Sequence, residues 1–163
     1  MADQSEPVTA PPVDPDAVAT HRTPLHTRPL AIAAVAVGGL IGAPARYELG
    51  VLFPQTAGRW PVTTFAVNIT GAFVLGLLLE WLTRLGSDSG WRQRVRLGAG
   101  TGLLGSFTTY STLAVDTDQL LRGHHWWAAG SYAVGSVLAG LVAAVVGIAV
   151  GVQVPSPRPE ADG

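Results

Sequence analysis

Residues 126–152, with the sequence WWAAGSYAVGSVLAGLVAAVVGIAVGV, form a long apolar stretch without a charged side chain. An α-helix rises about 1.5 Å per residue, so about 20 apolar residues cross the hydrocarbon core of a bilayer, which is about 30 Å thick. A single strand cannot satisfy its backbone hydrogen-bonding groups in lipid, whereas a helix can. We therefore predict a transmembrane helix over residues 126–152.

Three other segments of the chain meet the same requirement: residues 29–52, 61–85 and 95–121. Pro29 and Pro61 stand at helix starts, where the missing N–H group costs nothing. The tryptophans fall at or near the ends of the four segments, as an aromatic belt at the membrane–water interface requires. These tryptophans are Trp60, Trp81, Trp91, Trp126 and Trp127. The pattern predicts an all-α membrane protein whose single domain, residues 29–152, holds four transmembrane helices.

The composition agrees with a membrane protein and argues against several other classes. Of the 163 residues, 48% are hydrophobic and only 13% are charged, whereas a soluble domain carries about 25% charged residues. The formal net charge of −1 provides no basic surface for nucleic acid. The chain has no cysteine and no convincing nucleophile–base pair or metal-ligand cluster, so we do not expect an enzyme. Residues 1–28 and 153–163, which are rich in proline and polar residues, are predicted to be disordered tails.

The polar side chains inside the predicted spans are mostly uncharged hydrogen-bond donors. They comprise Thr63, Thr64, Asn68, Thr70, Thr101, the run from Ser106 to Thr112, Ser131, Tyr132 and Ser136. Glu48 and Glu80 lie near helix ends and Asp116 follows the hydroxyl run, so we expect no carboxylate in mid-span. A cation or proton path would need buried carboxylates, whereas donors favour a small anion. The alternative is that the hydroxyls bond to carbonyl groups of their own helices.

The third span has an unusual sequence for a transmembrane helix. Gly98, Gly100, Gly102 and Gly105 precede the hydroxyl run, and both glycine and β-branched threonine weaken a helix. We predict a break near residues 105–110, which would expose backbone groups that can form an ion site. A continuous but kinked helix is the alternative.

Three motifs on three of the four predicted helices resemble those of one family. Residues 38–47, GGLIGAPARY, resemble its first-helix motif GGxxGAxxRY. Residues 64–71, TFAVNITG, resemble the second-helix motif TxxVNxxG, and residues 105–112, GSFTTYST, resemble the third-helix motif GxxTTFST. The chain is therefore similar over about residues 30–152 to the Fluc (CrcB) fluoride channels, which export toxic fluoride from microbial cells.

This resemblance implies an antiparallel dimer with two pores along the subunit interface. It also implies a structural sodium ion at the dimer centre, held by backbone carbonyl groups at Gly105 and Thr108. Arg46 matches the vestibule arginine, and Asp116 takes an acidic position after the third motif. The residues implied to form the fluoride pathway are Asn68, Tyr110, Ser111, Leu113, Tyr132 and Ser136. Tyr110 and Leu113 occupy positions where the family usually has phenylalanine, so one ring is missing.

The function that follows is passive electrodiffusion of fluoride out of the cell, which lowers cytoplasmic fluoride. The alternatives are a small four-helix proton-coupled exporter and a non-conducting partner subunit of a heterodimeric channel. The exporter would need a carboxylate in the middle of the first span. The sequence has none there, since Glu48 lies near the helix end.

The distribution of arginines predicts the orientation in a cell membrane of bacterial type. Seven arginines lie on the side of the N-terminus, at positions 22, 28, 84, 92, 94, 96 and 158. Three lie on the other side, at positions 46, 59 and 122. The bias of 7 − 3 = 4 places both termini in the cytoplasm. Because an antiparallel homodimer needs both orientations of one sequence, we keep two partners open: an identical copy, or an oppositely oriented paralogue.

Overall fold

A computed structural model describes residues 28–155, and the secondary structure within that range is entirely helical. The elements are α1 (Pro29–Leu52), α2 (Val62–Arg84), α3 (Gly90–Val95), a π-helical segment (Arg96–Leu104), α4 (Gly105–Phe107), α5 (Tyr110–Arg122) and α6 (Trp126–Gln153). The predicted tails lie almost wholly outside the described residues, which exclude 1–27 and 156–163.

Three of the predicted spans are confirmed as helices that are long and apolar enough to cross a membrane: α1, α2 and α6. The first has the predicted bounds, α2 is one residue shorter than predicted at each end, and α6 is one residue longer at its C-terminal end. Large apolar side chains on α1 and α6 are exposed, among them Leu40 and Leu141. Such contiguous apolar surface is rare on a soluble monomer, so the chain is a membrane protein.

The third predicted span, residues 95–121, is not one uniform helix. The chain is helical from Gly90 through the π-helical segment to Phe107. Thr108 and Thr109 then adopt extended conformations, with ψ of 158° and 120°, before α5 begins at Tyr110. With 13 residues, α5 is only about 20 Å long, too short to cross the bilayer alone. We name the extended pair, Thr108 and Thr109, the break.

The π-helical segment packs closely against α1 because glycines face each other across the contact. A Cβ atom added to Gly38 would lie 2.6 Å from the backbone nitrogen of Leu103. One added to Gly102 would lie 2.5 Å from the carbonyl oxygen of Val35. Small residues allow helix backbones in membranes to approach in this way.

A second close pair joins α2 to α6. A Cβ atom on Gly147 would lie 3.0 Å from the backbone nitrogen of Leu77, and one on Gly76 would lie 3.1 Å from the carbonyl carbon of Ala144. At the end of this pair, the Arg84 guanidinium donates to carbonyl groups in the last turn of α6 and just beyond it. α2 therefore has a fixed position beside the break.

Replacing Gly42 by alanine should destabilise the protein, because the new methyl group would lie 2.9 Å from the backbone carbonyl carbon of Leu103. Overpacking of this kind costs about 1–3 kcal/mol. Gly50→Ala is the control on the same helix, since its Cβ atom would have no neighbour within 4 Å. Thermal unfolding in detergent should show a lower midpoint for Gly42→Ala only. Equal midpoints for the two variants would contradict the close contact.

Candidate functional site

The side chain of Asn68 on α2 binds the backbone at the break. Its Nδ2 atom donates to the carbonyl oxygen of Thr109 at 2.9 Å, and the Thr109 N–H group donates to Asn68 Oδ1 at 2.7 Å. One amide therefore pairs with both hydrogen-bonding groups of one residue. Gly71, one turn along α2, makes the approach possible because a Cβ atom there would clash with the Thr108 side chain.

Thr109 begins α5 as its N-cap residue. Its hydroxyl oxygen accepts from the Thr112 N–H group at 3.0 Å, which satisfies one of the free donors of the first helical turn. The Thr109 hydroxyl also lies 3.1 Å from the Ser111 hydroxyl. Part of the hydroxyl run thus builds the helix start.

Because of these two interactions, two carbonyl groups, one in α4 and one at the break, lack the N–H donors that a continuous helix would give them. In a continuous helix, the N–H groups of Thr109 and Thr112 would bind the carbonyl oxygens of Gly105 and Thr108 respectively. Here the Thr109 N–H group binds Asn68, and the Thr112 N–H group binds the Thr109 hydroxyl. The carbonyl groups of Gly105 and Thr108 are consequently available to another ligand.

The guanidinium of Arg46 contacts α4, just before the break. Its Nε atom donates to the Ser106 carbonyl oxygen at 3.2 Å. A cavity of about 350 Å³ beside it is lined by Arg46, Thr64, Thr109 and Thr112 among others. We name this space the Arg46 cavity. Its positive charge and threonine hydroxyl groups suit an anion.

Four residues of the predicted fluoride pathway line one groove beside the break, with a volume of about 320 Å³. They are Asn68, Tyr110, Leu113 and Ser136, and the same groove is lined by Gly105 and Thr108. We name it the break groove. Within residues 28–155, Ser136 Oγ is the one buried side-chain polar atom without a hydrogen-bond partner. Since a buried hydroxyl group is normally bonded, this one has donor capacity for a ligand.

The other predicted pathway residues lie apart from the break groove. Tyr132 is fully buried, and its hydroxyl group donates to Asp116 Oδ2 at 3.1 Å. The ring of Trp60 packs edge-on against it, with centroids 5.3 Å apart. Ser111 is exposed next to Thr109. The structure therefore groups only part of the predicted pathway within one subunit.

Two residues of this region were not identified as partners from sequence. Asp116 is 6% exposed and accepts hydrogen bonds from both Tyr132 and Gln55. Gln55 lies in the loop between α1 and α2, and its Nε2 atom also donates to the Thr64 hydroxyl oxygen at 2.7 Å. No local sequence pattern could have predicted these contacts, because Gln55 and Asp116 are 61 positions apart.

Comparison with known proteins gives consistent matches. The family model described as CrcB-like protein, Camphor Resistance (CrcB), matches residues 33–148. The chain is 49% identical over 120 residues to fluoride-specific ion channel FluC 3 of Streptomyces avermitilis, covering 74% of this chain and 57% of that protein. It is 44% identical over 131 residues to fluoride-specific ion channel FluC 2 of Leifsonia xyli, covering 80% of this chain and 90% of that protein. It is 43% identical over 122 residues to fluoride-specific ion channel FluC of Chloroflexus aurantiacus, covering 74% of this chain and 94% of that protein.

The aligned region thus spans little more than half of the Streptomyces relative but nine tenths or more of the other two. The residues that the family model matches, 33–148, include every predicted site residue, from Arg46 to Ser136. The chain therefore belongs to the CrcB family of fluoride channels.

Proposed function

We propose that this chain is a subunit of a fluoride-selective channel that exports fluoride by passive electrodiffusion and so lowers its cytoplasmic concentration. The family is one of ion channels, so the chain is not an enzyme. The observation that carries the proposal is the break groove, where the Asn68 amide and the unbonded Ser136 hydroxyl group lie beside the interrupted helix.

Fluoride is strongly hydrated, so a path through the membrane has to replace its water with other donors. Hydroxyl and amide groups do this without adding a negative charge that would repel the ion. Ser136 supplies a free hydroxyl group, and Tyr110 supplies a hydroxyl group and a ring edge of partial positive charge. Ser111 lies nearby on the exposed side of α5. Leu113 supplies apolar wall only, and it also packs against the buried cluster around Tyr132.

A second subunit would complete the groove. Tyr110 is 82% exposed, and Gly105 and Ser111 are exposed as well. An aromatic side chain of this exposure beside the break groove is suited to a subunit interface. We propose an antiparallel dimer in which each groove is closed by the partner, either an identical copy or an oppositely oriented paralogue that supplies the missing ring. In that dimer Tyr132 would reach the ion only after its bond to Asp116 is exchanged.

The broken helix would be the remaining membrane span, which is the third in chain order. α3, the π-helical segment and α4 would enter from one side, and α5 would continue to the other side, with the break between them. Both termini would lie in the cytoplasm of a bacterial cell, as the arginine distribution predicts.

The break also fits a structural sodium ion. Within residues 28–155, no three His, Asp or Glu side chains are grouped to hold a metal ion. The carbonyl oxygens of Gly105 and Thr108 are neutral, lack their helical donors, and belong to the oxygen class that hard cations prefer. A bound sodium ion at the dimer centre would interact with the carbonyl groups of both subunits and so hold their two breaks together.

Purified protein in liposomes should pass fluoride when a potassium ionophore removes the opposing voltage, and it should not pass chloride. Ser136→Ala removes the free donor and should lower fluoride flux about ten- to a hundredfold, since a hydrogen bond to an ion is worth about 1.5–3 kcal/mol. Ser131→Ala is the control on the same helix, because that hydroxyl group lies outside the groove and already pairs with Trp60. A fluoride electrode measures the fluoride efflux rates of the unchanged protein and of the two variants.

Each other outcome of this flux assay identifies an alternative. Equal chloride flux would contradict fluoride selectivity. Flux that requires a proton gradient would indicate the exporter. Flux only after addition of a paralogue would indicate a heterodimer, whereas selective flux by this chain alone would exclude an obligatory partner.

Sodium should raise the thermal unfolding midpoint of the purified protein relative to the same concentration of potassium. A ligand that binds only the folded state stabilises it by RT ln(1 + [L]/Kd). The measurement does not depend on ion flux. Identical midpoints in sodium and potassium would contradict the sodium site.

A further inference from the structure

An apolar groove runs along the outside of the contact between α1 and the π-helical segment, and its volume is about 480 Å³. Small residues at this contact, such as Gly38 and Gly98, leave the space between the two helices. We name it the α1 groove. It is lined by Leu30, Ala33, Val37, Ile41, Ala99 and Leu103 among others.

The two helices that form the α1 groove run in the same direction. A Cβ atom on Gly98 would contact the Ala34 side chain at 3.7 Å, and one on Gly102 would lie 3.0 Å from the Cα atom of Gly38. Both pairs are therefore separated by the same number of residues. The start of α1 consequently lies at the same end of the bundle as α3, and the two helices are in contact.

The length of the α1 groove matches one leaflet of a bilayer. The groove extends along α1 from Leu30 to Ile41, and 11 steps of about 1.5 Å give about 17 Å. One leaflet is about half of a hydrocarbon core that is about 30 Å thick. The exposed ring of Trp91 in α3 marks the membrane–water interface at the same end. The groove therefore extends from the interface through one leaflet.

Arg94 lies at the interfacial end of the α1 groove. It precedes Gly98 by one helical turn, so the two residues share a face of the helix. Its side chain is exposed, and its Nε atom donates to the Gly90 carbonyl oxygen at 3.4 Å. The other N–H groups of this guanidinium have no partner within residues 28–155. Arg94 thus has donors and a positive charge available at the mouth of an apolar groove.

The same end of the bundle carries an excess of positive charge. Asp88 is the one acidic residue in the connection from α2 to the π-helical segment, and it forms an ion pair with Arg96 at 2.7 Å. Arg92 donates to the Ser87 carbonyl oxygen at 2.7 Å, which leaves its charge without a carboxylate. Arginines of this end therefore attract an anionic group, and the apolar groove beside them accepts a hydrocarbon chain.

The α1 groove does not face the proposed dimer partner. Thr101 and Gly105 are exposed one turn apart, and Gly105 lines the break groove that the partner would close. Ala99 and Leu103, which line the α1 groove, are offset from them by two residues. Residues two apart on a helix do not share a face. Lipid, rather than a second subunit, is therefore the neighbour of the α1 groove in the proposed dimer.

We propose that the α1 groove binds an anionic phospholipid of the cytoplasmic leaflet, with the lipid phosphate on Arg94 and one acyl chain along α1. Basic sites between transmembrane helices on the cytoplasmic side bind acidic lipid head groups in this way. The bound lipid holds α1 against the π-helical segment that leads into the break. The inference goes beyond the proposed channel function and does not depend on ion flux.

Native mass spectrometry of the full-length protein, released from detergent, measures binding of palmitoyl-oleoyl-phosphatidylglycerol and of the phosphatidylcholine with the same acyl chains. The protein should bind phosphatidylglycerol more tightly. Arg94→Gln should weaken phosphatidylglycerol binding about fivefold, the contribution of one arginine near an anionic head group. Arg122→Gln is the charge-matched control, because Arg122 lies at the end of α5 and pairs with Asp118. It should leave the affinity unchanged.

A second pair of variants tests the acyl chain. Ala33→Phe places a ring in the α1 groove, so it should weaken phosphatidylglycerol binding several-fold. Ala36→Phe is the control on the same helix, because Ala36 is also exposed but does not line the groove. Both positions are at the surface, so both variants should fold, and their thermal unfolding midpoints check this.

Equal affinities for phosphatidylglycerol and phosphatidylcholine would overturn the proposal, as would equal effects of Ala33→Phe and Ala36→Phe. Displacement of the lipid by the same concentration of glycerol 3-phosphate would also overturn it, because that molecule has the phosphate but no acyl chain. Fluoride flux is measured separately on the same proteins. Lipid binding of the expected pattern without any fluoride flux would contradict the channel function but not the lipid site.

Discussion

The pairing of the Asn68 amide with the backbone of Thr109 is the interaction on which the rest of the site depends. It takes the N–H group that a continuous helix would give to the Gly105 carbonyl group, and it adds a side-chain donor to the carbonyl group of Thr109. In a membrane, backbone groups need such partners because lipid offers none. The Asn68 side chain thus stabilises the interrupted helix. The carbonyl groups and hydroxyl groups that the interruption frees are then available to bind ions.

Close glycine contacts keep that pairing in place. The pair α2 and α6 fixes the helix that carries Asn68, whereas α1 packs against the π-helical segment that leads into the break. Gly71 lets the break itself approach α2. Because packed membrane helices gain little from apolar burial against lipid, these short backbone distances and the few polar contacts determine the geometry. Arg46, bound to the Ser106 carbonyl group, adds one such contact.

Much of this architecture could be predicted from the sequence, because membrane helices are determined by local composition. The bounds of α1, α2 and α6 follow from apolar length and from the tryptophans near the helix ends. The resemblance to the family named Asn68, Tyr110, Leu113 and Ser136 together as pathway residues, and these four line one groove. The contacts of Tyr132 and Gln55 with Asp116 could not be predicted in this way. They join a loop, α5 and α6, and they depend on how the helices pack rather than on any local pattern.

The central claim is that uncharged donors at the break conduct a small anion, and Asn68→Asp tests it most directly. The aspartate keeps an acceptor for the Thr109 N–H group, but it loses the donor to the Thr109 carbonyl group and adds a negative charge to the break groove. Fluoride flux through liposomes should fall about a hundredfold or more, whereas Gln119→Glu, which adds the same charge outside the groove, should change it little. Unchanged fluoride flux in an assembled Asn68→Asp protein would contradict the claim.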